Sequence, residues 1–69
     1  MVDDVNPVRV RRRERRVTQA ELAAAVGVSR QTVVAIEKGD YAPSVYVAIR
    51  IAGALDSTVE CLFPVPTNE

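Results

Sequence analysis

Histidine and tryptophan are absent from this 69-residue chain, cysteine occurs once and aromatic residues make up only 4%. Each shortage removes a class of chemistry. A zinc site or a disulfide framework needs several ligands or paired thiols, so we expect no metal and no cofactor. The lone Cys61 reads as a small apolar residue of the last helix rather than a redox switch. With no imidazole, no evident nucleophile–base pair and no glycine loop able to cradle a phosphate, an enzyme is not expected. No apolar run approaches the ~20 residues of a membrane span, and the start of the chain lacks a secretory apolar stretch, which together indicate a cytoplasmic protein. The length fits one domain over 1–69 with an ordered core at about 6–63. A domain this small is marginally stable alone, so a partner subunit would help it.

What the chain does contain is a small-residue core and an uneven charge pattern. Its 48% apolar content, dominated by Val, Ile, Leu and Ala, favours packed helices over a ligand cavity, and no small-molecule ligand is expected. The formal net charge is zero, yet six of the nine basic residues are Arg9, Arg11, Arg12, Arg13, Arg15 and Arg16. Asp3, Asp4, Asp56, Glu60 and Glu69 lie toward the ends. Such a distribution gives a folded molecule one basic and one acidic face despite the neutral sum. Any single arginine here is as readily a solvated side chain as a phosphate contact, but the cluster favours phosphate.

Cap signals divide the chain into five helices. Residues 1–5 read as extended or disordered, and Asn6-Pro7 starts a first helix running to about Arg16, with Val8 as its core contact. Thr18 and Glu21 make a capping box, with Val17 and Leu22 at the staple positions, so a second helix spans about Gln19–Val26 before Gly27 stops it. Ser29 caps a third helix over about Arg30–Lys38, with Val28 and Val33 as its staple and Gly39 as its end. Ser44 caps a fourth, running to about Leu55, whose core stripe is Val45, Ala48, Ile51, Ala52 and Leu55. Ser57 and Glu60 suggest a further capping box for a short fifth helix holding Val59, Cys61, Leu62 and Phe63, and residues 62–67 have extended character.

The stretch from Val17 to Ile36, VTQAELAAAVGVSRQTVVAI, is thus two short helices joined by a tight turn. Its segment QAELAAAVGVSRQTVVAI resembles the helix-turn-helix core of the lambda-repressor-like family, the Cro-type or Xre-type regulators, and SRQTVVAIEKGDYAPS is similar to a stretch shared by many small members. Gln19, Leu22, Ala23, Val26, Gly27, Val33 and Ile36 stand where that family's pattern asks for them. Arg11 and Arg16 depart from it, since an apolar residue and a small or turn-forming residue are usual there. The resemblance implies an all-α, five-helix lambda-repressor-like fold in which helices two and three form the reader.

Direct readout requires side chains near the start of an exposed helix that reach base edges in the major groove. Arg30 and Gln31 occupy that place. Arginine can donate two hydrogen bonds to guanine and glutamine pairs with adenine, while Val34 suits a thymine methyl and Ala35 permits close approach. Gln19 begins its helix where backbone N–H groups and the helix dipole favour a phosphate. In the manner the resemblance implies, Thr32, Lys38 and Tyr41 are further phosphate contacts, and Arg12 and Arg16 join them from the basic run; Tyr41 has a competing reading as a lid on the core. The fourth helix is uncharged on more than one face, which points to a homodimer contact through Tyr46, Ile49, Gly53 and Phe63. These residues together predict a sequence-specific duplex DNA-binding regulator, a repressor acting as a homodimer on a near-palindromic operator. The alternative is a protein-interaction module that keeps the fold with weak or no DNA binding.

Overall fold

Every helix in the computed structural model, which describes residues 6–65, begins at a side chain that accepts from its own first turn. Asn6 Oδ1 accepts from the N–H groups of Val8 and Arg9 at 3.0 and 3.2 Å and opens α1, Pro7–Glu14. Thr18 opens α2, Gln19–Val26, with both halves of the capping box formed. Ser29 opens α3, Arg30–Lys38, and Ser44 opens α4, Val45–Ala54. The last helix, α5, is Val59–Leu62 and is capped by Thr58. Such caps satisfy N–H groups that a helix start leaves without partners, each worth about 1 kcal/mol. The described residues contain helices and no strand, as the sequence implies.

The first four helices also end alike, each at a residue with positive φ: Arg16, Gly27, Gly39 and Asp56. In each case the following N–H reaches back to a carbonyl five residues earlier, as in Val17 to Arg12 (3.1 Å) and Ser57 to Ala52 (2.9 Å). This closure ends a helix and reverses the chain within three residues. It corrects two sequence expectations. The first helix stops at Glu14 rather than Arg16, because Arg16 takes the left-handed turn that places Thr18. Ser57 spends its N–H closing α4, so Thr58 and not Ser57 caps α5, its hydroxyl accepting from Cys61 N–H at 3.1 Å.

The core is one cluster of Val8, Leu22, Ala23, Val26, Val33, Ile36, Ile51, Ala52, Leu55 and Leu62, with Val17, Val28, Val47, Val59 and Phe63 packed against it. Helix α2 lies between α3 and α4, while α1 packs on α3 and α5. The stripe expected on α4 holds at Ala48, Ile51, Ala52 and Leu55, but Val45 is 71% exposed. It is the first residue of α4, a turn before Ala48, and is left open among the described residues; Val47 makes the first-turn core contact instead.

Ala23, on the helix that packs against both α3 and α4, is only 4% exposed, so a larger side chain there has little room. Ala23→Leu is expected to cost about 1–3 kcal/mol through overpacking. At roughly 4–8 °C per kcal/mol in a domain of this size, a thermal melt reads that loss directly; an unchanged midpoint would mean that the contact yields without strain.

Candidate nucleic-acid interface

Helix α3 divides sharply into an inner and an outer side. Val33, Ile36 and Glu37 are buried, whereas Arg30, Gln31 and Lys38 are exposed and Val34 and Ala35 half-buried. The outer set recurs at i, i+3 and i+7 as Gln31, Val34 and Lys38, one stripe along the helix. Arg30, the first helical residue, lies on the α2 side of that stripe, beside Thr18, Gln19 and Ala20. The Ser29 cap and the Val28 contact with the core fix where this stripe begins. Thr32 is half-buried, and its hydroxyl is 2.9 Å from that of Ser29, so it braces the same turn.

A buried, fully engaged carboxylate stands behind that helix. Glu37 is only 2% exposed and its carboxylate accepts from Arg12 Nε at 2.6 Å and Arg12 Nη2 at 3.2 Å. A third hydrogen bond comes from Gln19 Nε2 at 3.1 Å, and Arg12 Nη1 donates to the carbonyl of Val17 at 2.8 Å. One carboxylate therefore ties α1, the start of α2 and the back of α3 together. A bidentate pair of this kind gives direction as well as attraction, and it holds the Gln19 side chain at the mouth of α2.

Arg12 is consequently not available as a phosphate contact, contrary to the sequence expectation: it is 8% exposed and committed to Glu37 and Val17. Half of the signal was present in the sequence: the need for a cation, but not which arginine meets it. A glutamate on the same helical stripe as Val33 and Ile36 requires a buried cationic partner, and the arginine run is where one is found. The other arginines separate by direction. Arg11 donates through Nε to the carbonyl of Leu55 at 2.8 Å and through Nη2 to that of Asp56 at 2.7 Å, and Arg15 lies 3.9 Å from the Asp56 carboxylate. Both serve the end of α4, where a cation satisfies carbonyls left without helical partners. That explains a polar residue at Arg11. Its stem and head cover the helix junction while its charge reaches the surface.

Arg16 is exposed beyond the end of α1. Tyr41 is exposed and borders a second, apolar groove with Pro7, Ile36, Pro43 and Phe63, away from Gln19 and Arg30. Phe63 is half-buried there against the core, while Tyr46, Ile49 and Gly53 share the outer face of α4 at i, i+3 and i+7 and are exposed. The structure thus brings Gln19 beside Arg30, and aligns Gln31, Val34 and Lys38. Tyr41 and Phe63 line the other groove, whose lining includes neither Gln19 nor Arg30.

Comparison with known proteins agrees with this geometry. A helix-turn-helix family model matches residues 8–60. The chain is 56% identical over 48 residues to an HTH-type transcriptional regulator of Methanothermobacter thermautotrophicus, covering 70% of each chain. It is 50% identical over 46 residues to the HTH-type transcriptional regulator YgzD of Bacillus subtilis, covering 67% of this chain and 70% of the relative. A Methanocaldococcus jannaschii HTH-type transcriptional regulator is 49% identical over 47 residues, covering 68% of this chain and 71% of its own. With helices α2 and α3 forming the motif on a five-helix frame, the chain belongs to the lambda-repressor-like, Xre-type helix-turn-helix family of transcriptional regulators.

Proposed function

We propose that the protein binds duplex DNA by sequence, as a homodimer on a near-palindromic operator, and represses transcription by occupying it. The carrying observation is the outward face of α3, with Arg30 and Gln31 free at its start. Both side chains offer paired hydrogen-bonding groups of the kind that base edges accept, and Val34 one turn on offers apolar contact to a thymine methyl. Ala35 leaves room for the helix to approach. Gln19 and the first turn of α2, with Thr32, Lys38, Tyr41 and Arg16 around the motif, supply the phosphate contacts that fix register without reading sequence. All of these groups act inside the cytoplasm, on the nucleoid.

The dimer forms through α4. Tyr46 is 75% and Ile49 54% exposed, and Gly53 below them lets a second helix approach closely. Phe63, just past α5, joins that contact in this reading. Pairing α4 across a two-fold axis presents two copies of α3, and a spacing near 34 Å places them in successive major grooves.

Fluorescence anisotropy with random duplex at low salt tests the DNA reading. Retention at micromolar protein supports it, and no retention means that the fold has been kept for a protein partner instead. Within that assay Lys38→Ala is expected to flatten the dependence of log K on log salt by about one unit per bound chain, the effect of losing one neutralised phosphate. An unaltered slope would remove Lys38 from the contact set.

A further inference from the structure

Two neighbouring side chains of α1 grip different parts of the fold. Arg12 holds the carboxylate of Glu37 on α3 and the carbonyl of Val17, just before α2. Arg11 reaches instead the end of α4, donating through Nε to the carbonyl of Leu55 at 2.8 Å and through Nη2 to that of Asp56 at 2.7 Å. Its Nη1 meets Glu14 of its own helix at 3.3 Å, so all three guanidinium nitrogens have acceptors. The turn that Arg11 grips is an unfavourable one. Asp56 has a φ of 54°, a left-handed conformation that a residue with a side chain resists, and its N–H closes on the carbonyl of Gly53 at 3.3 Å. Arg11 binds the carbonyl of that residue and of the one before it. It is therefore a bridge from α1 to the last turn of the helix whose outer stripe is Tyr46, Ile49 and Gly53. Helix α2, which packs on both α3 and α4, gives an apolar link between those two helices, and Arg11 with Arg12 gives a polar one through α1.

We infer that Arg11 is a positioning residue: through α1 it fixes the attitude of α4 toward the reading helix, and so sets which half-site spacing the dimer accepts. The inference rests on the DNA-binding and α4-dimer readings above and adds what governs the geometry between their two surfaces. Dimerisation places the two-fold axis at α4 while bases are read at α3, so symmetry applies every change of angle between those helices to both readers at once. A shift of about 1.7 Å in each subunit alters their separation by about 3.4 Å, one base pair. Directed hydrogen bonds from a charged fork to two fixed carbonyls resist such a shift, where apolar packing alone has no direction. Arginine suits the task because its planar fork meets two successive carbonyls together. The apolar residue usual at this place in similar proteins would fill the junction and grip neither.

The test uses the duplex that the wild type enriches from a random pool, at its native half-site spacing and with one base pair inserted or removed between the half-sites. Anisotropy compares wild type, R11M, R11K and R15Q, and thermal melts show which variants are folded. R11M keeps an apolar stem and loses both hydrogen bonds to α4. It should discriminate native from altered spacing about 2–30-fold less well than the wild type, the span by which residues between two coupled sites change their coupling. Its base preference within a half-site stays the same. R11K, which can still donate to a carbonyl, should recover part of the discrimination, and R15Q, whose partner carboxylate on Asp56 is 3.9 Å away at the surface, should keep all of it. An R11M that discriminates spacing as the wild type does, whatever its melting point, makes Arg11 a helix cap and no more, and overturns the inference while DNA binding and the dimer stand. If R11M melts below the assay temperature, R11K decides: reduced discrimination supports the inference and wild-type discrimination overturns it. A wild type that enriches half-sites with no fixed spacing overturns the dimer and the inference together, and one that retains no duplex overturns the DNA reading as well.

Discussion

Glu37→Ala is expected to destabilise the protein by about 3–5 kcal/mol, the usual cost of removing one partner from a buried ion pair. The cause is the group left behind. Arg12 would remain almost enclosed, with its charge unmet and two of its three hydrogen bonds gone. Gln19 would lose its anchor at the same time. At roughly 0.05–0.15 kcal/mol per residue, a chain of 69 residues has on the order of 3–10 kcal/mol in total, so the variant should be largely unfolded or close to it. Urea or thermal unfolding measures the loss. Replacing both partners, R12L/E37M, should recover most of it, because well-packed apolar residues of similar volume are often neutral or better than a buried pair. If the single and double variants unfold together, the fold depends on something other than compensation of that charge. The rescued double variant should also bind DNA more weakly at every sequence, since Gln19 is no longer held at the start of α2.

Arg30→Ala should abolish preference at one base pair of each half-site, at about 1–3 kcal/mol apiece. On a two-fold operator the effects combine to about 2–6 kcal/mol, because the contacts are well separated and add. Competition between the operator and a duplex altered at that single position reads the change. Preference for the operator should fall, while affinity for random duplex falls far less. Uniform weakening across all sequences would make Arg30 a phosphate contact and not a reader of bases.

Where the chain turns was legible in the sequence because caps are local. Thr18 with Glu21, Ser29 and Ser44 each satisfy N–H groups within their own first turn, so three residues suffice to place a helix start. The same local logic read Gly27 and Gly39 as helix ends, but it missed Arg16 and Asp56. Those two adopt the same left-handed turn, which costs an ordinary side chain about 1–2 kcal/mol and is closed by the N–H of the next residue, Val17 to Arg12 and Ser57 to Ala52. Nothing in their neighbours announces it. Ser57 misled for a related reason: its N–H is taken by α4, a fact set by where that helix ends.

The outer stripe of α3 was also legible, since a helix with Val33 and Ile36 inside must turn Arg30 and Gln31 out. The inward commitment of Arg12 was not. Four arginines in the run from Arg9 to Arg13 have the same intrinsic chemistry, and only the docking of α1 against α3 decides that Arg12 meets Glu37 while Arg11 meets Leu55 and Asp56. Composition set the overall balance of charge, and the crossing of helices set its direction.

Selection of bound fragments from a random-duplex pool, followed by sequencing, would show whether α3 reads bases, because base preference and half-site spacing emerge from one measurement. An enriched near-palindrome is expected, with half-sites about 10–10.5 base pairs apart centre to centre and a position in each half that changes when Arg30 is replaced. A pool that binds yet shows no enriched sequence, or a protein that retains no duplex at all, would contradict the assignment of α3 as a reader of bases.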